Sequence, residues 1–428
     1  MTEMGFPVDW TANPRARDGG CTRAASDVLP PGASRMARDF HRHLPGYRIT
    51  PLKGLPHLAA KLGLGGIWVK DESQRLSLSS FKVLGSSFAI YRFVEETLGL
   101  APGTLTWASL WSAEVRRALG ELTFSAATDG NHGRGVAWAA SQLGFPAVIY
   151  VPRDTAQARI HAIEHHGARV EVIDGTYDEA VARMAHDAAE HGWQVISDTS
   201  WDGYEDIPRW VMQGYTTMLS EAQEQLAGQG LAKPSHVFVQ AGVGALAAST
   251  IAFYAQLFGD DRPISLVVEP TRAACLLDSV RAGDGTPHDF PGDLATIMAG
   301  LSCGRPSPLA WNVLWNCADY FAACPDYVAA KGMRVYGVPL EGDPFVVSGE
   351  SGAVTLGALM FIMEHPQLSK MRALLGLDQD AHVLLLNTEG NTDPENFRRI
   401  VWEGENPVPR EHRAITRPQG AGKPARVG

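Results

Sequence analysis

Between residues 146 and 268 the chain alternates short, almost wholly apolar runs with amphipathic stretches of helical length. The runs 146–152 (PAVIYVP), 168–174 (ARVEVID), 194–196, 236–240 (HVFVQ), 264–268 (ISLVV) and, later, 383–386 (VLLL) are expected to be strands. The stretches 155–166, 177–191, 245–257, 272–281 and 351–364 carry helical periodicity. An apolar run with no polar alternate face must be covered on both sides. A strand that returns to its sheet through a helix lies parallel to the strand before it. The pattern therefore predicts an α/β fold with open, mostly parallel sheets flanked by helices. A chain of 428 residues is long for one such unit, so two domains, or one domain split by an insertion, are expected.

Charge and composition narrow the partners. With 37 basic and 47 acidic residues the formal charge is −10, which repels phosphate backbones, so nucleic acid is not an expected partner. No stretch approaches the ~20 apolar residues of a membrane span. The N-terminus has no apolar run behind a basic start, so a cytoplasmic protein without a membrane partner is expected. The cysteines at 21, 275, 303, 317 and 324 are odd in number and form no C-x-x-C pair, which reads as buried thiols in a reducing compartment. Cys275 and Cys303 each flank a motif described below. His41 and His43 read as surface residues. The Gly- and Pro-rich segment 283–291 is an expected loop, and residues 403–428 an exposed, disordered tail.

Five motifs carry chemistry. In Ser79-Ser80-Phe81-Lys82-Val83-Leu84-Gly85 a lysine sits in an apolar run. Desolvating an ammonium is costly, so a buried lysine has a lowered pKa and becomes a nucleophile; a lysine snorkelling from a helix start would look similar. Thr128-Asp129-Gly130-Asn131-His132-Gly133 reads as a loop between strand and helix whose N–H groups face a ligand. Gln240-Ala241-Gly242-Val243-Gly244-Ala245-Leu246 follows a strand and has the form of a phosphate cradle at a helix N-terminus, though it is neither G-x-G-x-x-G nor a P-loop. Asn387-Thr388-Glu389-Gly390-Asn391 lies at the carboxyl end of a buried strand, where ligands of parallel sheets bind. Ser348-Gly349-Glu350-Ser351-Gly352 reads as a capped helix start or as part of a site. A sixth pattern, His161-Ala162-Ile163-Glu164-His165, has zinc-ligand spacing, but nothing nearby supplies a third ligand. It reads as an ordinary helix C-terminus, and no metal is expected.

In this order the motifs resemble the pyridoxal-phosphate enzymes of the tryptophan-synthase-β fold, fold type II. More narrowly they resemble the diaminopropionate ammonia-lyase family, through PGYRITPL (45–52), VKDES (69–73), FKVLG (81–85) and ATDGNHGRGVAWAA (127–140). The likeness continues in DTSWDGYEDIPRWVMQGY (198–215), VVEP (267–270), TIMAGLSCG (296–304) and NTEGNTDP (387–394). Two stretches depart from the family pattern. Residues 75–82 read RLSLSSFK where the family reads closer to R-F-G-L-N-A-F-K, and Asn387-Thr388 stands where Ser-Thr is usual.

The resemblance implies pyridoxal phosphate on Lys82, its phosphate on Gly242, Val243, Gly244, Ala245 and Leu246, Phe81 in the cofactor site, Asn131 near its phenolic oxygen and Thr388 near its ring nitrogen. It implies Ser80, Thr128, Asp129 and Asp198 around the substrate. Lys82, Asp129 and Asp198 would be catalytic; for Asp198 a helix cap is the alternative. The implied reaction is β-elimination of 2,3-diaminopropionate to pyruvate and ammonia through an aminoacrylate. The rivals are a serine or threonine dehydratase, a lyase for another β-substituted amino acid, and a non-catalytic amino-acid-binding homologue. The implied architecture is a large domain from 1–85 and 215–402, a small domain from 86–214, a site in the cleft between them, and a homodimer.

Overall fold

The computed structural model describes residues 7–413. Among the described residues, eleven strands form two sheets. They are β1 (Asp9–Ala12), β2 (Leu52–Gly54), β3 (Gly66–Asp71), β4 (Phe124–Ala127), β5 (Ala147–Pro152), β6 (Arg169–Ile173), β7 (Gln194–Val195), β8 (His236–Gln240), β9 (Ile264–Pro270), β10 (Tyr320–Cys324) and β11 (His382–Asn387). The larger sheet runs β1-β10-β9-β8-β11-β3-β2, and the smaller β6-β5-β4-β7. Only the outer pairs β1/β10 and β2/β3 are antiparallel. The inner strands are buried on both faces, as their continuous apolar runs require. The strand and helix expectations are met to within a few residues, and residues 283–291 carry neither strand nor helix.

Helix Glu350–Glu364 is apolar around most of its circumference and buried along nearly its whole length against the large sheet. The strands of the small sheet all lie between residues 124 and 195, and those of the large sheet before 72 or after 235. Helices Lys82–Thr97 and Asp206–Gly228 run unbroken through the expected boundaries at 86 and 214.

Several expectations are corrected. Cys21 and Cys317 form a disulfide joining the start of helix Cys21–Val28 to the end of helix Pro308–Cys317; Cys275, Cys303 and Cys324 are free and buried. Spacing along the chain could not show that two residues 296 positions apart meet. His41 is fully buried between Thr217 and the Leu84 carbonyl, and burial lowers its pKa to about 3. The tail expected from Glu403 is held as far as residue 413: Arg334 donates to the carbonyls of Glu405 and Asn406, and the His412 ring stacks on Tyr327. Residues 414–428 lie outside the described residues.

Candidate active site

The carboxyl ends of β4, β8 and β11 open onto one cleft. Lys82 begins helix Lys82–Thr97 and projects into it. The preceding turn is anchored by a buried charge network. Arg75 bonds Glu72 and Glu221, and Lys70 pairs with Glu221, all four side chains being fully buried. The segment VKDES thus supplies the scaffold that presents the lysine.

The Lys82 Nζ lies 2.5 Å from Asp198 Oδ2. Burial alone would push the ammonium down, as expected from the sequence. The adjoining Asp198 carboxylate, with Tyr215 and Asp129 nearby, outweighs burial and holds it well above the ordinary lysine value. The expected lowered pKa is therefore corrected. Asp198 is correspondingly acidic: burial pushes its carboxyl up, but Lys82 and His132 bring it down to about 2. Its other oxygen accepts from the Tyr177 hydroxyl at 3.3 Å. It caps no helix, since the next one begins at Asp206.

Asp129 stands at the end of β4. Thr128 Oγ1 accepts from the N–H groups of Gly130 and Gly133, and Gly130 has φ +139°, a turn only glycine adopts freely. Asp129 Oδ2 is buried and makes no hydrogen bond. Asn131 donates to Glu389 Oε2 at 2.6 Å. His132 Nε2 donates to the Ile196 carbonyl, and burial lowers its pKa. Ser80 Oγ accepts from the Lys82 N–H, and Phe81 packs on Tyr215.

Opposite, β8 leads into residues 241–244. Gly244 has φ +99° and precedes helix Ala245–Phe258, which has neither a side-chain cap nor an acidic residue in its first turn. Gly242 is packed so closely that a Cβ would stand 2.9 Å from Cys303 Sγ. Cys275 Sγ lies 4.0 Å from the Gly242 carbonyl, so both cysteines flank this loop. Gln240 donates to Thr388 Oγ1 at 2.8 Å.

The sequence-predicted residues Ser80, Phe81, Lys82, Thr128, Asp129, Asn131, Asp198, residues 242–246 and Thr388 therefore share one cleft. The reading of residues 348–352 as a capped helix start is corrected: no side chain caps that helix, and Ser351 lines the cleft with an unpaired hydroxyl. Tyr177, Gln240, residues 299–303 and Glu389 line it too and were not assigned to the site from the sequence. Arg159 was also missed. It is buried with Asp129, Glu350 and Glu389 each within 3.9 Å, joining elements of both sheets. Nothing in helix Gln157–Glu164, half of whose residues are polar, marked it out. The H-x-x-E-H segment is an exposed helix end, where His161 bonds Gln157.

The arrangement offers an amine, two carboxylates beside it and a helix N-terminus free to take an anion. The family of pyridoxal-phosphate dependent enzymes matches residues 43–388. Diaminopropionate ammonia-lyase of Escherichia coli K12 is 46% identical over 384 residues, covering 90% of this chain and 94% of that protein. The Salmonella typhimurium enzyme of the same name is 43% identical, covering 93% and 99%. A crystal structure of the E. coli enzyme in complex with D-serine superposes with a TM-score of 0.86 at 42% identity, covering 94% of this chain and 98% of that one. The threonine deaminase of Solanum lycopersicum shares the fold at 20% identity and a TM-score of 0.66.

The cleft fits pyridoxal phosphate. Lys82 offers the amine, the uncapped glycine loop a cradle a side chain would fill, and no acidic side chain stands in the helix turn that would face the phosphate. With a likeness spanning nearly the whole chain, the protein belongs to the diaminopropionate ammonia-lyase family of pyridoxal-phosphate dependent enzymes.

Proposed function

We propose that this protein catalyses the β-elimination of ammonia from 2,3-diaminopropionate, so that one substrate and one water yield pyruvate and two ammonia. The observation that carries this reading is the pair of carboxylates, Asp129 and Asp198, on the cleft that holds Lys82. When bound, pyridoxal phosphate supplies an electron sink for the pair released at the α-carbon. The N–H groups of residues 242–246 would hold its phosphate, Phe81, Asn131 and Thr388 its ring, and Lys82 its aldehyde carbon.

Each remaining step belongs to side chains. Asp198 stays ionised beside the ammonium and orients Lys82 Nζ in the cleft. Asp129 Oδ2 makes no hydrogen bond, its nearest cation being Arg159 at 3.9 Å, and it can accept a proton from the α-carbon or hold the β-ammonium. A departing amine must leave protonated, and acidic groups hold it in that form. Ser80 and Thr128, with the start of helix Asn131–Leu143, take the substrate carboxylate. Closure of the two sheets over the cleft excludes water. The family resemblance is also the ground for proposing a cytoplasmic homodimer, which light scattering tests by returning the mass of two chains.

The test of the reaction is the purified protein on diaminopropionate, serine and threonine with both products quantified. Two ammonia per pyruvate, from diaminopropionate alone, is the expected result. One ammonia per pyruvate, from a hydroxy amino acid, would replace this reading with a dehydratase. In Lys82→Ala, turnover and the absorbance band that borohydride bleaches should both vanish. A wild-type protein that shows no such band after incubation with pyridoxal phosphate would favour a non-catalytic binding protein.

A further inference from the structure

Gln240 ends β8, is 1% exposed and lines the cleft behind Thr388. One atom of its amide lies 3.0 Å from the Leu386 carbonyl and 2.8 Å from Thr388 Oγ1. A carbonyl oxygen only accepts, so that atom is the nitrogen, and its two hydrogens serve both neighbours. Thr388 Oγ1 therefore accepts from Gln240. The NH₂ group has no lone pair to accept in return, so the Thr388 hydroxyl proton must point elsewhere. Among the described residues, Gln240 is the one hydrogen-bond partner of that hydroxyl. The Thr388 backbone is fixed as well, because its carbonyl accepts from the Phe81 N–H at 3.1 Å, one residue before Lys82.

We infer that Gln240 is a positioning residue that fixes the sense of the Thr388 hydroxyl, so that Thr388 donates a hydrogen bond to the ring nitrogen of the cofactor and that nitrogen stays unprotonated. The inference rests on the reading that Thr388 meets the ring nitrogen. It deepens that reading by assigning the direction of the bond and the residue that sets it. A glutamate at position 240 would reverse the sense in either protonation state. Ionised, it can only accept. Protonated, its one hydrogen goes to the Leu386 carbonyl, which has none to give, and the Thr388 hydroxyl still donates to the carboxyl group. The oxygen lone pairs of Thr388 would then face the ring nitrogen and favour its protonated form.

The test is the ¹⁵N resonance of ring-labelled pyridoxal phosphate bound to the full-length protein, with the fold of each variant checked by circular dichroism. Wild type should show an unprotonated, hydrogen-bonded ring nitrogen; a protonated one overturns the inference. Gln240→Glu should move the resonance toward the protonated position, and an unmoved resonance overturns the inference. Should that variant lose its fold or its cofactor, Gln240→Met keeps the length and frees the hydroxyl to rotate. Its resonance should move toward that of Thr388→Val, and an unmoved resonance again overturns the inference. The loss of one oriented hydrogen bond should lower kcat by about two- to tenfold with little change in KM. Thr388→Val separates the two layers. If it leaves the wild-type resonance in place, the reading that Thr388 meets the ring nitrogen fails, and the inference about Gln240 falls with it.

Discussion

Replacing Gly244 by alanine tests whether the loop after β8 cradles a phosphate or merely turns the chain. Gly244 has φ +99°, a conformation that costs an L-residue about 1–2 kcal/mol. The new Cβ would stand 3.0 Å from Leu314 Cδ1 and 3.4 Å from Ala310 Cβ. The leucine tip can give way, so crowding adds about 1 kcal/mol, at the low end of overpacking costs. The sum is about 2–3 kcal/mol. The loop can relieve it by rotating out of the left-handed region, but that turns the N–H groups of residues 242–246 away from the cleft. At ~1.4 kcal/mol per decade, cofactor affinity should then fall about thirtyfold or more. Gly244→Asp should lose more, since a carboxylate beside a dianion adds repulsion on the order of several kcal/mol. Titration of the apoprotein with pyridoxal phosphate, followed by absorbance, reads the affinity; thermal melting of the apoprotein reads strain left in the fold. If Gly244→Ala binds within about twofold of wild type and melts at the same temperature, the strain argument and the cradle argument both fail.

Three further outcomes are expected. Asp129→Asn should cost ~10²–10⁴ in rate chiefly on D-diaminopropionate and Asp198→Asn chiefly on the L-isomer, because Lys82 with Asp198 serves one face and the other needs its own base; equal losses on both isomers would make the pair a shared ammonium site. Ser77 and Ser79 hold φ of +59° and +56° with no side-chain hydrogen bond among the described residues, where the family pattern has Gly and Asn, so Ser77→Gly or Ser79→Gly should raise stability by about 0.5 kcal/mol in denaturant melts; a loss would show the strain is not there. Burial pushes the Glu221 carboxyl up, but Arg75 and Lys70 hold it down at about 2. Its stabilisation is thus present above the ordinary value of 4.5 and is lost as pH falls from there toward 2. Glu221→Gln should cost about 3–5 kcal/mol at neutral pH and flatten acid unfolding over that window, a slope that melting curves against pH would show.

The extent to which the sequence disclosed this protein follows the range of the interactions involved. Strand and helix order, parallel sheets and the glycine loops are written locally, in apolar runs and in residues that tolerate unusual backbone angles. They were legible to within a few residues. Lys82, Asp129 and Thr388 could be picked out because each sits in a distinctive local motif, Asp198 through the family resemblance of the segment it begins, and the fold gathers them into one cleft. What depends on partners far along the chain was not legible. The lysine was expected to be acidified by burial, and only the fold sets Asp198, 116 residues away, against it. Arg159 looked like one more helix residue until it met carboxylates from both sheets. Cys21 and Cys317 looked like separate thiols, and His41 like a surface residue. Gln240 read as the last residue of a strand. Its role follows from register alone, because β8 and β11 lie side by side and bring its amide to the Leu386 carbonyl and the Thr388 hydroxyl. Local sequence selects backbone conformation and burial, whereas the charge and hydrogen-bond state of a buried side chain depends on which distant group the packing places within about 3 Å of it.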